Sequence, residues 1–155
     1  TGLANRRMFD SELTRTLRRS RRTGGEASLL VIDLDHFKEV NDTAGGAAGD
    51  AALAAFASVL KPIARRPDDI AARIGGEEFA LVLSGTDGPG AETVAMALLE
   101  ALAASGIPHP KRGRLTTSIG AAALQPGDDV GTWFTRADRA LYAAKADGRA
   151  TVRTA

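Results

Sequence analysis

Three carboxylates, Asp33, Glu77 and Glu78, stand where apolar segments meet turns. Asp33 closes a short apolar run, with Asp35 two residues on, and Glu77 and Glu78 follow a Gly-Gly pair. A carboxylate at the end of a buried strand needs a partner, because desolvating a charge is costly. If the two segments are neighbours in one sheet, the acids converge. Close carboxylates raise one another's pKa unless a cation neutralises them. Oxygen ligands without His or Cys select Mg²⁺ or Mn²⁺, and Mg²⁺ held by one or two carboxylates completes its shell with phosphates. Each acid taken singly is equally compatible with capping a turn.

Two further groups fit a nucleotide. An Asp carboxylate accepts from guanine's ring N–H and amine, and an Asn amide donates to its carbonyl or ring nitrogen. Asn41 and Asp50, within residues 37–50 (FKEVNDTAGGAAGD), supply that pair. Adenine would leave such groups unpaired. The alternative is an Asn41 turn and an Asp50 helix N-cap. Lys145 and Arg149 stand near a helix end, spaced to share one side. They suit triphosphate oxygens, or they complement the helix dipole.

The elements that would position these residues alternate. Asn5 caps a helix through Met8, Phe9, Leu13 and Leu17, which ends at Thr23-Gly24-Gly25. Residues 28–34 (SLLVIDL) read as a buried strand. A helix runs from Asp50 through Leu60. Strands are expected over 69–74 and 78–83, with Gly75-Gly76 as their hairpin turn. Residues 85–90 read as an exposed turn, 91–104 as a helix and 115–124 as a strand. A helix over 129–146 and a short strand over 151–153 complete the chain. The pattern predicts one α/β (α+β) domain over residues 1–155: a mixed, largely antiparallel sheet flanked by helices.

Bulk composition removes several function classes. The chain has no cysteine, so disulfides, thiolate zinc sites and cysteine nucleophiles are excluded. A net charge of +1 gives no global attraction to nucleic acid or an anionic membrane. No apolar run is long enough to span a bilayer. Arg15, Arg18, Arg19, Arg21 and Arg22 are either a solvated helix face or a contact for nucleotide phosphate. The abrupt start at Thr1 suggests a domain excised from a longer regulatory protein.

Taken together, these motifs resemble the GGDEF family of diguanylate cyclases, over nearly the whole chain. Residues 1–7 (TGLANRR) resemble the opening motif without its leading Asp. Residues 33–42 (DLDHFKEVND), 45–50 (GGAAGD) and 145–149 (KADGR) resemble further blocks. Residues 73–79 (RIGGEEF) resemble the signature in its Glu variant. Several ordered motifs are far more specific than one.

The resemblance implies a palm-like nucleotidyl cyclase fold and condensation of two GTP into cyclic di-GMP with loss of pyrophosphate. Asp33 and Glu77, with the Leu34 carbonyl, would hold Mg²⁺ or Mn²⁺, and Glu78 would be a further catalytic acid. Asn41 and Asp50 would hold guanine. Phe37, Lys38, Lys145 and Arg149 would hold the triphosphate, and Gly76 would let the backbone approach the nucleotide. Arg66 and Asp69 resemble the inhibitory product site. A homodimer is implied, since one GTP site per domain must yield two linkages. The domain is expected to be cytoplasmic and to contact neither nucleic acid nor membrane. The alternative is an inactive GGDEF domain acting as a receptor for GTP or cyclic di-GMP. Gly46 stands where the family usually has His, and Ala150 where Asn often follows Gly-Arg.

Overall fold

The strand β1 (Ala27–Leu34) is buried at all eight positions, which fits its run of branched residues and makes it the centre of the sheet. The computed structural model describes residues 2–155. β1 pairs antiparallel with β3 (Glu78–Ser84) on one side and with β6 (Thr117–Ala123) on the other. β3 pairs antiparallel with β2 (Ile70–Arg73), and β6 pairs parallel with β7 (Val152–Thr154). The five-stranded order is β2-β3-β1-β6-β7. The expected mixed, largely antiparallel sheet flanked by helices is the architecture observed.

Alternate residues of β1 feed two cores, as the strand period of two requires. Leu30, Ile32 and Leu34 join Phe79, Leu81 and Leu83 under α3 (Gly46–Leu60) and α4 (Gly88–Ser105). Phe56 of α3 packs on Phe79 with ring centroids 4.8 Å apart. Leu29 and Val31 join Ala80 and Val82 under α1 (Arg6–Thr23) and α5 (Val130–Ala146). α1 buries Phe9, Leu13 and Leu17 of the expected stripe, but Met8 lies off that face and is exposed. Its cap is also as expected: the Asn5 side chain accepts from the Met8 N–H at 2.8 Å, and Gly24 closes it in the left-handed region.

Five elements differ from expectation. α2 (Phe37–Ala44) is a helix that the sequence had left unassigned. α3 starts at Gly46, not at Asp50, because Gly45 (φ 87°) makes the break between the two helices. The Asp50 N-cap alternative is therefore wrong, as Asp50 lies one turn inside α3. α4 starts at Gly88, capped by Asp87, with Pro89 in its first turn, so residues 85–90 are only partly a turn. A small hairpin of β4 (Pro108–His109) and β5 (Gly113–Arg114) was not anticipated.

α5 carries much of the site and is held by directional bonds. The Asp129 carboxylate and the Thr132 hydroxyl form a reciprocal capping box. The buried Trp133 donates from Nε1 to the Ala122 carbonyl at 2.9 Å. Arg136 grips Asp128 through Nη1 at 2.8 Å and Nη2 at 2.7 Å. That guanidinium hydrogen bond, with the Gln125 N–H and the Thr132 hydroxyl, holds the Asp128 carboxyl down to about 2, against burial. A depressed carboxylate stabilises the fold above its unfolded value, and that contribution disappears as pH falls through the folded one. Asp128 is therefore expected to contribute about 2 kcal/mol at neutral pH, lost between pH 4 and 2. Urea titrations of Asp128→Asn should show lower stability at pH 6 and a flatter acid limb. An unchanged limb would remove Asp128 from the acid response.

Candidate functional site

Antiparallel register brings the acids together. Asp33 of β1 lies directly opposite Glu78 of β3, and the Leu34 N–H donates to the Glu77 carbonyl at 3.2 Å. Strand alternation turns Asp33 toward α5, as it turns Leu29 and Val31. There the Lys145 Nζ donates to Asp33 Oδ2 at 2.6 Å. Asp33 is 8% exposed, so this ion pair satisfies a largely desolvated charge.

Glu77 is half-buried. Burial pushes its carboxyl above the ordinary value, the Asp33 charge adds to this, and Lys145 partly offsets it. A small pocket of about 220 Å³ opens between Asp33, Glu78, Asp138, Tyr142 and Lys145. Among the described residues no three His, Cys, Asp or Glu side chains already stand as one metal cluster. Asp33, Glu78 and Lys145 share this pocket, and the Asp33 charge acts on Glu77 from beside it.

The hairpin turn that presents Glu77 is clamped by an arginine. Arg73 Nε donates to the carbonyls of Gly75 at 3.2 Å and Gly76 at 3.1 Å, and Nη2 reaches Gly76 at 2.7 Å. No atom outside the turn lies within 4 Å of a Cβ built on Gly76, so this stretch of backbone is open to a ligand.

The head of α2 is the second part of the site. His36 enters it in the left-handed region (φ 53°). Its carbonyl accepts from His109 Nε2 at 3.0 Å, while His109 Nδ1 accepts from the Lys111 N–H at 3.1 Å. A carbonyl only accepts and an amide N–H only donates, so His109 carries its proton on Nε2. Arg112 grips Glu39 through two bonds of 2.6 and 3.1 Å. The β4-β5 hairpin thereby braces α2. Burial lowers the His36 pKa, and the charges of Arg112 and Arg149 lower it further. Phe37 is buried, and Lys38 points to solvent.

Asn41 and Asp50 are both exposed, on α2 and α3, with buried Gly49 between the helices. A Cβ on Gly49 would overlap Asn41 Oδ1 and stand 3.3 Å from Phe37 Cζ. Gly49 therefore makes room for Asn41, a role no spacing pattern disclosed. Gly46 faces open space, so a His there would meet no obstruction.

Arg149 follows α5 in a turn of unusual backbone. Gly148, Arg149 and Ala150 have φ of 107°, 68° and 50°. Left-handed non-glycine residues cost about 1–2 kcal/mol each, so two in succession need external support. That support comes partly from Asp35, a buried acid to which the sequence reading assigned no role. Arg66 and Asp69 lie apart from these groups. The Arg66 N–H donates to Asp69 Oδ2 at 3.1 Å, and its Nη1 reaches the carbonyls of Ser84 and Gly85 at 3.2 and 3.1 Å. Arg19 of α1 pairs with Asp68 at 3.2 Å and lines the same cavity of about 400 Å³. Arg21 instead donates to the Asp128 carbonyl, so the basic cluster is not one uniform solvated face.

Comparison with known proteins agrees with this geometry. Residues 1–151 match the family model described as diguanylate cyclase, GGDEF domain. The chain is 39% identical over 150 residues to the probable diguanylate cyclase DgcC of Escherichia coli, covering 96% of this chain and 40% of that protein. It is 39% identical over 152 residues to the diguanylate cyclase DgcP of Pseudomonas aeruginosa, covering 96% of this chain and 22% of that one. It thus spans well under half of either relative. The GGDEF domain of DgcB from Caulobacter crescentus, solved in complex with c-di-GMP, superposes with a TM-score of 0.92 at 35% identity, covering 99% of this chain and 92% of that one. The active GGEEF domain of a diguanylate cyclase from Vibrio cholerae superposes at 0.89 with 30% identity, covering 98% and 97%. With its sheet topology, its acids at the β1 and β3 ends and its GGEEF turn, the chain belongs to the diguanylate cyclase GGDEF domain family.

Proposed function

We propose that this domain condenses two GTP into cyclic di-GMP with release of two pyrophosphates. The observation that carries the proposal is the ion pair of Asp33 with Lys145 at the end of β1, directly across the sheet from Glu78 and beside the turn that bears Glu77. In each of two equivalent steps the 3′-oxygen of one GTP bonds to the α-phosphorus of the other. The α–β phosphoanhydride bond breaks, the hydroxyl proton departs, and pyrophosphate leaves.

The residues fit a divalent cation such as Mg²⁺ or Mn²⁺. The donors are all oxygen, and burial with the neighbouring charge of Asp33 makes ionised Glu77 costly without one. Asp33, Glu77 and the Leu34 carbonyl would hold the cation. When bound, it supplies charge neutralisation at the transferring phosphoryl group and acidifies the attacking hydroxyl. Glu78 adds negative potential at the rim. Lys145 and Arg149, with Lys38 and the backbone at Phe37, bind the triphosphate. The open backbone at Gly76 lets the nucleotide approach.

Asn41 and Asp50 hold guanine. Gly49→Ala should displace the Asn41 amide and raise the apparent KM for GTP about tenfold, the worth of one lost hydrogen bond. Nucleotide titration checks this, and an unchanged KM would take Asn41 out of base recognition.

One nucleotide site per domain and two linkages per product require two domains facing each other about a two-fold axis. Product binding at Arg66 and Asp69 would then give feedback inhibition. Arg forks onto guanine's carbonyl and ring nitrogen. Arg66→Ala should raise the cyclic di-GMP concentration for half-inhibition at least about tenfold. Inhibition curves that superpose on the parent's would sink this assignment.

The deciding experiment is incubation of concentrated protein with GTP and Mg²⁺, followed by chromatography. A cyclic di-GMP peak that vanishes in Glu77→Ala supports the cyclase. No product at any protein concentration, with tight cyclic di-GMP binding, would replace it with a receptor.

A further inference from the structure

We infer that Asp35 is a positioning residue that acts through Arg149. Its buried carboxylate anchors the left-handed turn carrying that arginine and so sets where the guanidinium meets the triphosphate. The inference rests on the reading of Arg149 as a triphosphate ligand.

Asp35 is 3% exposed, and its partners come from two other segments of the chain. Oδ1 accepts from the Ser118 hydroxyl at 2.7 Å. Oδ2 accepts from the Thr116 hydroxyl at 2.7 Å and from the Ala150 N–H at 3.0 Å. Among the described residues no cation bonds to it directly. Three neutral donors satisfy the buried charge, and the only backbone donor among them belongs to the turn. Thr116 immediately precedes β6 and Ser118 is its second residue, next to β1 in the sheet. They orient the carboxylate, and its remaining lone pair is left for Ala150.

The turn needs such an anchor. Gly148, Arg149 and Ala150 are successive left-handed residues, and only the first is glycine. Such a backbone persists where its surroundings over-determine it. The Arg149 N–H is tied to the Ala144 carbonyl at 3.1 Å. Arg153 pairs with Asp147 across the turn. The Ala150 bond to Asp35 is the tie that runs inward, to the strand end bearing Asp33. Without it, Arg149 and Ala150 are free to relax to φ below zero, and the guanidinium swings off the site. Asp35 touches no substrate in this scheme, so its loss acts on binding.

The ionised carboxylate suits this role because it is acceptor-only and takes several donors at once. Asn at position 35 keeps one acceptor oxygen for the Ala150 N–H and offers its NH₂ to a hydroxyl that can rotate to accept. Ala keeps neither.

The test uses the protein with the non-cleavable analogue guanosine 5′-(α,β-methylene)triphosphate and Mg²⁺, read by calorimetry, with cyclic di-GMP formation followed separately. Asp35→Ala is expected to weaken analogue binding about tenfold, comparable to Arg149→Ala, and Asp35→Asn about threefold. The double variant should bind no more weakly than Arg149→Ala alone, because both changes remove the same contact. In Asp35→Asn, adding Ala150→Gly should recover part of the binding, since glycine adopts the left-handed conformation without the strain that the anchor offsets. That pair decides the matter if Asp35→Ala does not fold. Single effects that multiply in the double variant, or binding unchanged in both Asp35 variants, would overturn the inference and leave Arg149 as a ligand. Unchanged binding in Arg149→Ala would overturn the ligand reading itself, and the inference with it.

Discussion

Asp33→Asn is expected to cut cyclic di-GMP formation about a thousandfold or more while leaving the fold standing. The substitution conserves shape and removes one negative charge from an acid of the site that is only 8% exposed. Interactions aimed at charge that develops in a transition state are worth about two to three orders of magnitude each when removed singly. Asp33 is engaged twice over, as the partner of Lys145 and as the proposed cation ligand beside Glu77. Its loss weakens cation binding and frees Lys145 from its orientation. The cost in stability should be small, about 1 kcal/mol, because Lys145 is about one-third exposed and the pair is partly screened. Product chromatography and a thermal melt together check the prediction. A variant that retains a tenth of the parent rate would remove Asp33 from the reaction centre.

Gly120→Ala should have the largest effect on stability of any single methyl added to this chain. A Cβ at Gly120 in β6 would overlap the Ala137 carbonyl oxygen and the Leu141 nitrogen, and would stand 2.8 Å from Leu141 Cα. All three atoms are backbone of α5, so no side chain can rotate away, and the helix itself must lift. Overpacking of this kind costs about 1–3 kcal/mol where side chains absorb it. Rigid backbone on both sides puts the expected loss at the upper end, about 3 kcal/mol or more. Gly120→Val is expected not to fold. Activity of the Ala variant should fall further than its stability implies, since lifting α5 carries Lys145 away from Asp33. Urea unfolding would test this, and a loss under 1 kcal/mol would mean that α5 is free to slide on the sheet.

The core of the fold was legible where one period dominates. β1 and β3 each carry a central apolar run, residues 29–32 and 79–83, and α1 shows a helical stripe from Phe9 to Leu17. The hairpin at Gly75-Gly76 was legible as well. The misreadings came from glycine and proline, which serve two purposes. Gly45 and Gly46 look like a loop, but Gly45 alone breaks two helices and Gly46 already opens the second. Pro89 looks like a turn residue but sits in the first turn of α4, where its missing N–H costs nothing. The β4-β5 hairpin is too short to show a period.

In the site, the residues able to do chemistry were visible as types, and the antiparallel register of β1 with β3 brings Asp33 opposite Glu78. What supports them was not visible. Gly49, Arg73, His109 and Asp35 act through backbone atoms or through absent volume, and neither leaves a pattern along the chain.

One bridge at the sheet edge ties the start of the chain to the turn that presents Glu77. Ala4 lies parallel to β2, its N–H donating to the Ala71 carbonyl at 3.0 Å and its carbonyl accepting from the Arg73 N–H at 2.9 Å. Arg73 is the residue whose guanidinium clamps Gly75 and Gly76. A pull on the backbone just ahead of α1 therefore loads two hydrogen bonds in shear, and the second ends on the clamp. Load on the segment before the first helix would reach the Arg73 backbone, and through its guanidinium the carbonyls of Gly75 and Gly76 next to Glu77.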